Sequence, residues 1–82
     1  MEALTISSFD KEMCRILKGD YLPGYNKNVQ ERSEAGQFFI VAENNEGRVR
    51  KFKFRKEWIL NDICITMYDN FDGIFLGSVR VG

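Results

Sequence analysis

The sequence predicts an α+β fold: one N-terminal helix, then a four- to five-stranded antiparallel meander. Three observations carry this. Helical periodicity occurs once, near the start. Every later apolar run is short and strand-like. Asn-, Asp- and Gly-rich turns separate those runs at hairpin spacing. Closure of the meander into a small SH3-like or Sm-like barrel is the alternative to an open sheet with the helix on one face.

The helix is read over residues 9–19. Phe9, Met13, Ile16 and Leu17 recur at i, i+4, i+7 and i+8, one face of a helix. Ser7 or Ser8 serves as N-cap, Asp10 and Glu12 lie at the positive end of the dipole, Lys18 lies at the negative end, and Gly19 follows. Residues 1–6 read as a leading strand or arm. Residues 20–26 form a turn in which Pro23 and Gly24 suit the central positions of type II. Residues 27–36 are polar, with Val29 the only aliphatic side chain larger than Ala, and read as a loop or a weak edge strand.

Residues 37–43 form a strand that is apolar on both faces, and Asn44-Asn45-Glu46-Gly47 supplies hairpin turn chemistry. The return strand covers residues 48–55. Trp58-Ile59-Leu60 either continues it or makes a helical turn. Residues 63–68 and 74–81 are the last two strands, joined by Asp69-Asn70-Phe71-Asp72-Gly73.

At 82 residues the chain has room for one domain. Seven Phe, three Tyr and one Trp give it a globular rather than disordered composition. Twelve basic residues balance twelve acidic ones, which argues against a strongly basic nucleic-acid binder and against an acidic nucleic-acid mimic. The longest apolar run, Phe38 to Ala42, is far short of the ~20 residues of a membrane helix. No basic and apolar leader opens the sequence, and Cys14 and Cys64 sit in apolar periodic segments as core thiols, so a cytoplasmic location is expected.

Catalysis and cofactors find little support. Histidine is absent, so neither cysteine has the usual activating base, and no metal-ligand set or phosphate-binding glycine loop occurs. Two carboxylates and an amide in Asp69-Asn70-Phe71-Asp72-Gly73 are too few oxygens for a calcium loop and fit ordinary Asx-turn chemistry. The expectation is a non-enzymatic protein without cofactor or metal.

One segment has chemical character. Residues 48–56 hold six of the twelve basic side chains. Strand alternation turns Phe52 and Phe54 to the core and sets Lys51, Lys53 and Arg55 in a row on the other face, ~6.5–7 Å apart. A four-residue turn with Glu43 facing Arg48 would put Phe38 and Ile40 beside that row. A bulged turn with Gly47 in the left-handed region would put Phe39 and Val41 there instead. The candidate partner-binding residues are therefore Lys51, Lys53, Arg55, Phe38, Phe39 and Ile40. Arg48, Arg50, Tyr21 and Tyr25 are secondary candidates, the tyrosines because they bracket the Pro23-Gly24 turn and either face a partner or close the core.

Residues 37–59 resemble the central hairpin of WYL-type Sm-like domains, in which a Tyr- and Leu-rich strand precedes a basic, Phe-containing one. The Trp-Tyr-Leu signature is replaced here by Gln37-Phe38-Phe39-Ile40. The functional expectation is an adaptor, regulator or inhibitor that docks on the acidic surface of a larger protein, a role also taken by accessory proteins of phages. Single-stranded nucleic acid or RNA on the same face is the alternative, and a homodimer is compatible with the chain's small size.

Overall fold

The computed structural model describes residues 4–81. Helix α1 (Ser8–Tyr21) precedes strands β1 (Lys27–Glu34), β2 (Gln37–Glu43), β3 (Val49–Ile59), β4 (Asp62–Asp69) and β5 (Phe75–Arg80). The strands form one antiparallel sheet in chain order. Among the described residues no ladder joins β1 to β5, so their pairing is that of an open sheet. Residues 4–7 are irregular, and the rest of the expected leading strand lies outside the described residues.

Helix α1 begins at a full capping box. Ser7 accepts from the Asp10 backbone N–H at 3.2 Å, and the Asp10 carboxylate accepts from the Ser7 N–H at 2.9 Å. The same carboxylate receives the Lys56 ammonium of β3 at 2.9 Å while its side chain is only 2% exposed. This contact sets the rotation of the helix. Asp10, Cys14 and Leu17 face the sheet, whereas Phe9 and Ile16 are 66% and 55% exposed. The expected apolar face therefore survives only in Leu17 and the half-buried Met13. Apolar periodicity could not register that a carboxylate anchors the helix, because its lysine partner lies 46 residues downstream.

The helix lies against β4 and β5. Between the two layers sit Cys14, Leu17, Tyr25, Phe38, Ile40, Ala42, Phe52, Phe54, Ile65 and Met67, flanked by Ile6, Met13, Leu22, Leu76, Val79 and Val81. At the helix end, the Tyr21 ring lies so close over β5 that a Cβ on Gly77 would stand 2.7 Å from it, which explains the glycine. Burial pushes the Cys14 thiol up to about 12, so it behaves as a core hydrophobe.

Strand β1 exists although all eight of its residues are exposed. It is held by pairing with β2 through a two-residue turn in which Ala35 and Gly36 both have positive φ, as a type I′ hairpin requires. Gly24 has φ +97°, consistent with the type II turn expected at Pro23-Gly24. Of Trp58-Ile59-Leu60, for which a strand and a helical turn were both open, Trp58 and Ile59 continue β3, and the chain reverses through Leu60 and Asn61.

Candidate functional site

The hairpin between β2 and β3 takes the second of the two expected registers. Gly47 has φ +80°, the Asn44 N–H donates to the Arg48 carbonyl at 2.9 Å, and Glu43 pairs with Val49. Phe39 is consequently opposite Lys53, and Val41 opposite Lys51. Phe38 and Ile40, 2% and 1% exposed, belong to the helix-side core and do not join the basic row. Phe52 and Phe54 share that core, so the alternation read from the sequence is present.

Lys51, Lys53 and Arg55 lie together on the sheet face opposite α1, which no other described element covers. Register places Gln30 and Arg32 of β1, Val41 and Phe39 of β2, and Thr66 and Tyr68 of β4 on the same face. The Lys51 ammonium stands 4.7 Å from the centre of the Phe39 ring, and the Lys53 ammonium 5.6 Å from that of Tyr68. The ammonium groups stand over the rings, and Phe39 is only 8% exposed on an uncovered face. Gln30, Glu31, Arg32, Phe39, Val41 and Lys51 line a depression of about 130 Å³, in which Phe39 and Val41 are the apolar residues and Glu31 stands among the polar ones with Arg32 and Lys51.

Not all the cations of this face are equally available. Arg55 approaches Glu57 at 3.6 Å, Arg32 approaches Glu34 at 3.3 Å, and Arg80 approaches Asp62 at 3.8 Å. Lys51 and Lys53 make no ion pair among the described residues. Glu57 also accepts from the Thr66 hydroxyl at 2.6 Å and the Tyr68 hydroxyl at 2.7 Å. Burial raises the Glu57 carboxyl pKa, but these two hydrogen bonds and the nearby cations outweigh it, and the group is held below its ordinary range. Burial and the adjoining Glu57 raise the Tyr68 phenol. Glu57 therefore fixes Tyr68 as the far wall of the lysine pair.

The secondary candidates fall elsewhere. Arg50 is on the helix side, hydrogen-bonded to Asp69 at 2.6 Å and stacked 5.6 Å from the ring centres of both Tyr25 and Phe52. It closes one end of the core. Tyr25, 8% exposed, belongs to that core and meets Phe52 edge-on at 5.8 Å. Tyr21 is half exposed but lies over Gly77, away from the basic row. Arg48 is exposed on the loop before β3 and faces Asn70 and Phe71 across an open cleft. Asp69 and Asp72 accept from the Phe71 and Ile74 N–H groups at 2.8 and 2.9 Å, the Asx-turn chemistry expected there.

Sequence reasoning missed Tyr68 and the β1 contribution of Gln30 and Arg32. Tyr68 was legible in principle, because hairpin register alone sets it opposite Lys53. Comparison with models of known families, with curated proteins and with solved structures yields no match. No described helix is long and apolar enough to cross a membrane.

Proposed function

We propose that this protein is a non-catalytic binding module whose uncovered sheet face takes an acidic segment of a larger protein. The observation that carries the reading is the pair Lys51 and Lys53. They are adjacent on one face, form no salt bridge among the described residues, although the Glu57 charge acts on Lys53 at longer range, and are held over the Phe39 and Tyr68 rings. A carboxylate from outside would complete both charges, and an apolar side chain beside it would enter the depression lined by Phe39 and Val41.

Single-stranded nucleic acid is the competing occupant of this face. It is the weaker fit because base stacking needs an accessible ring, and Phe39 lies beneath Lys51. Three arginines of the face already have carboxylate neighbours, leaving few cations for phosphates.

The test is a titration of isotope-labelled protein, followed by amide NMR shifts, with a synthetic peptide of mixed Glu, Asp and Phe and, separately, with a single-stranded oligonucleotide. The peptide is expected to move the amides of Phe39, Lys51, Lys53 and Tyr68. The double variant Lys51→Glu, Lys53→Glu should keep its dispersed spectrum and weaken peptide binding at least about tenfold. Shifts confined to other surfaces would overturn the proposal. So would oligonucleotide binding at this face that weakens steeply with salt, with no response to the peptide.

A further inference from the structure

The basic row of β3 ends differently on its two sides. Val49, Lys51, Lys53 and Arg55 alternate onto the same sheet face. Beyond Arg55 stands Glu57, which approaches Arg55 at 3.6 Å and accepts from the Thr66 and Tyr68 hydroxyls. A held carboxylate closes that end to an incoming acid. At the other end stands Val49, 59% exposed, which lines an open cleft of about 580 Å³. Lys51 lines both this cleft and the smaller depression beside Phe39 and Val41, so a single side chain separates the two.

Across the cleft, the turn between β4 and β5 displays Phe71 at 96% exposure. That turn is tightly tied. Asp69 accepts from the Phe71 N–H at 2.8 Å, the Gly73 N–H donates to the Asp69 carbonyl at 2.8 Å, and the Asn70 N–H donates to the Lys51 carbonyl at 2.9 Å. The ring is bare while the backbone that carries it is held, so little freedom is lost when it meets a ligand. The Arg48 side is tied as well. Its N–H donates to the Asn44 side-chain oxygen at 2.8 Å, and its carbonyl accepts from the Asn44 N–H. Apart from Lys51, the charges of the lining cancel. Arg50 pairs with Asp69, and the exposed Arg48 is balanced by the exposed Asp72. What the cleft offers is therefore the apolar surface of Val49 and Phe71.

We infer that the acidic segment taken by this face has the pattern acidic-x-acidic-x-apolar, in one of the two chain directions, with its acids on Lys53 and Lys51 and its apolar side chain in the Val49–Phe71 cleft. This motif rests on the reading of Lys51 and Lys53 as an acid-binding pair and names what that pair selects. Alternate residues of β3 are ~6.5–7 Å apart, and alternate side chains of an extended peptide have the same repeat. The first, third and fifth side chains of the ligand thus step along Lys53, Lys51 and Val49. Charge complementarity assigns the acids, because Lys51 and Lys53 are the cations of the row that form no salt bridge among the described residues. The opposite placement would set the apolar side chain over the Arg55–Glu57 ion pair.

Three end-capped peptides of one composition, followed by amide NMR titration of the isotope-labelled protein, test this: Glu-Ser-Glu-Ser-Phe, Phe-Ser-Glu-Ser-Glu and Glu-Ser-Phe-Ser-Glu. One of the first two is expected to bind at least about tenfold more tightly than the third. It should move the amides of Val49 and Phe71 together with those of Lys51 and Lys53. Phe71→Ala should erase that advantage and leave the affinity of the third peptide unchanged. The Phe71 ring is solvent-exposed, so this variant should keep its dispersed spectrum. Equal or tighter binding of the third peptide, or an advantage that survives Phe71→Ala, would overturn the motif and leave the acid-binding pair standing. No shift at Lys51 and Lys53 with any of the three would overturn the pair itself, and the motif with it.

Discussion

Phe52→Ala is expected to destabilise the fold by about 3–5 kcal/mol, the usual cost of emptying a fully buried phenylalanine site. Phe52 is 0% exposed, meets Tyr25 edge-on and lies under the Arg50 guanidinium. Its loss opens a void in the middle sheet strand and removes the surface on which Arg50 rests. At about 0.05–0.15 kcal/mol per residue, a chain of this size has only about 4–12 kcal/mol in total. The variant should therefore lose a quarter or more of its stability, and urea unfolding followed by far-UV circular dichroism would measure it. Phe9→Ala is the control. Two-thirds exposed at the helix start, Phe9 should change stability by no more than about 0.5 kcal/mol. Equal losses in the two variants would contradict the helix rotation described above.

The second large effect is expected at Asp10. Asp10→Ala removes the capping box and leaves the Lys56 ammonium, 22% exposed, without its carboxylate. The combined cost should be about 3 kcal/mol. Its pH signature is distinctive. Burial raises the Asp10 carboxyl, but the Ser7 N–H, the Lys56 ammonium and the Ser7 hydroxyl together pull it below its ordinary value. A carboxyl with a lowered folded pKa contributes stability above its unfolded pKa, and that contribution disappears as pH falls through the folded value. The hydrogen bond from Arg50 lowers Asp69, and that from Arg15 lowers Glu31, in the same direction. Wild-type stability should therefore fall as pH drops below about 4. Asp10→Ala should flatten that acid limb while lowering the neutral plateau. An unchanged acid limb would mean that the Asp10–Lys56 contact adds nothing to stability.

Much of the fold was legible because its signals are local. The Ser7 cap, the Pro23-Gly24 turn, the Asn44–Gly47 reversal and the alternation of Phe52 and Phe54 with Lys51 and Lys53 all depend on residues within a few positions of one another. What escaped depends on distant partners. Phe9 and Ile16 matched a helical period, but Asp10 is drawn inward by a lysine in β3. Arg50 looked like one more surface cation, yet its parity places it beside Asp69, nineteen residues away. Residues 27–34 have no apolar face from which a strand could be read, and they become one only because β2 offers them an edge. Within the candidate site, the cationic row was visible in the sequence. The choice of Phe39 over Phe38 as its neighbour waited on the backbone angle of Gly47.

The meander has a kinetic corollary. Each strand adheres to the one made just before it, so assembly can proceed as a succession of short reversals, each closing a small loop. The docking of α1 on β4 and β5, with its Asp10–Lys56 contact to β3, brings remote parts of the chain together. Refolding from urea should accordingly be quick for a sheet protein, on the order of milliseconds, with the helix seated after β4 and β5 have paired, because those strands supply the surface on which it docks.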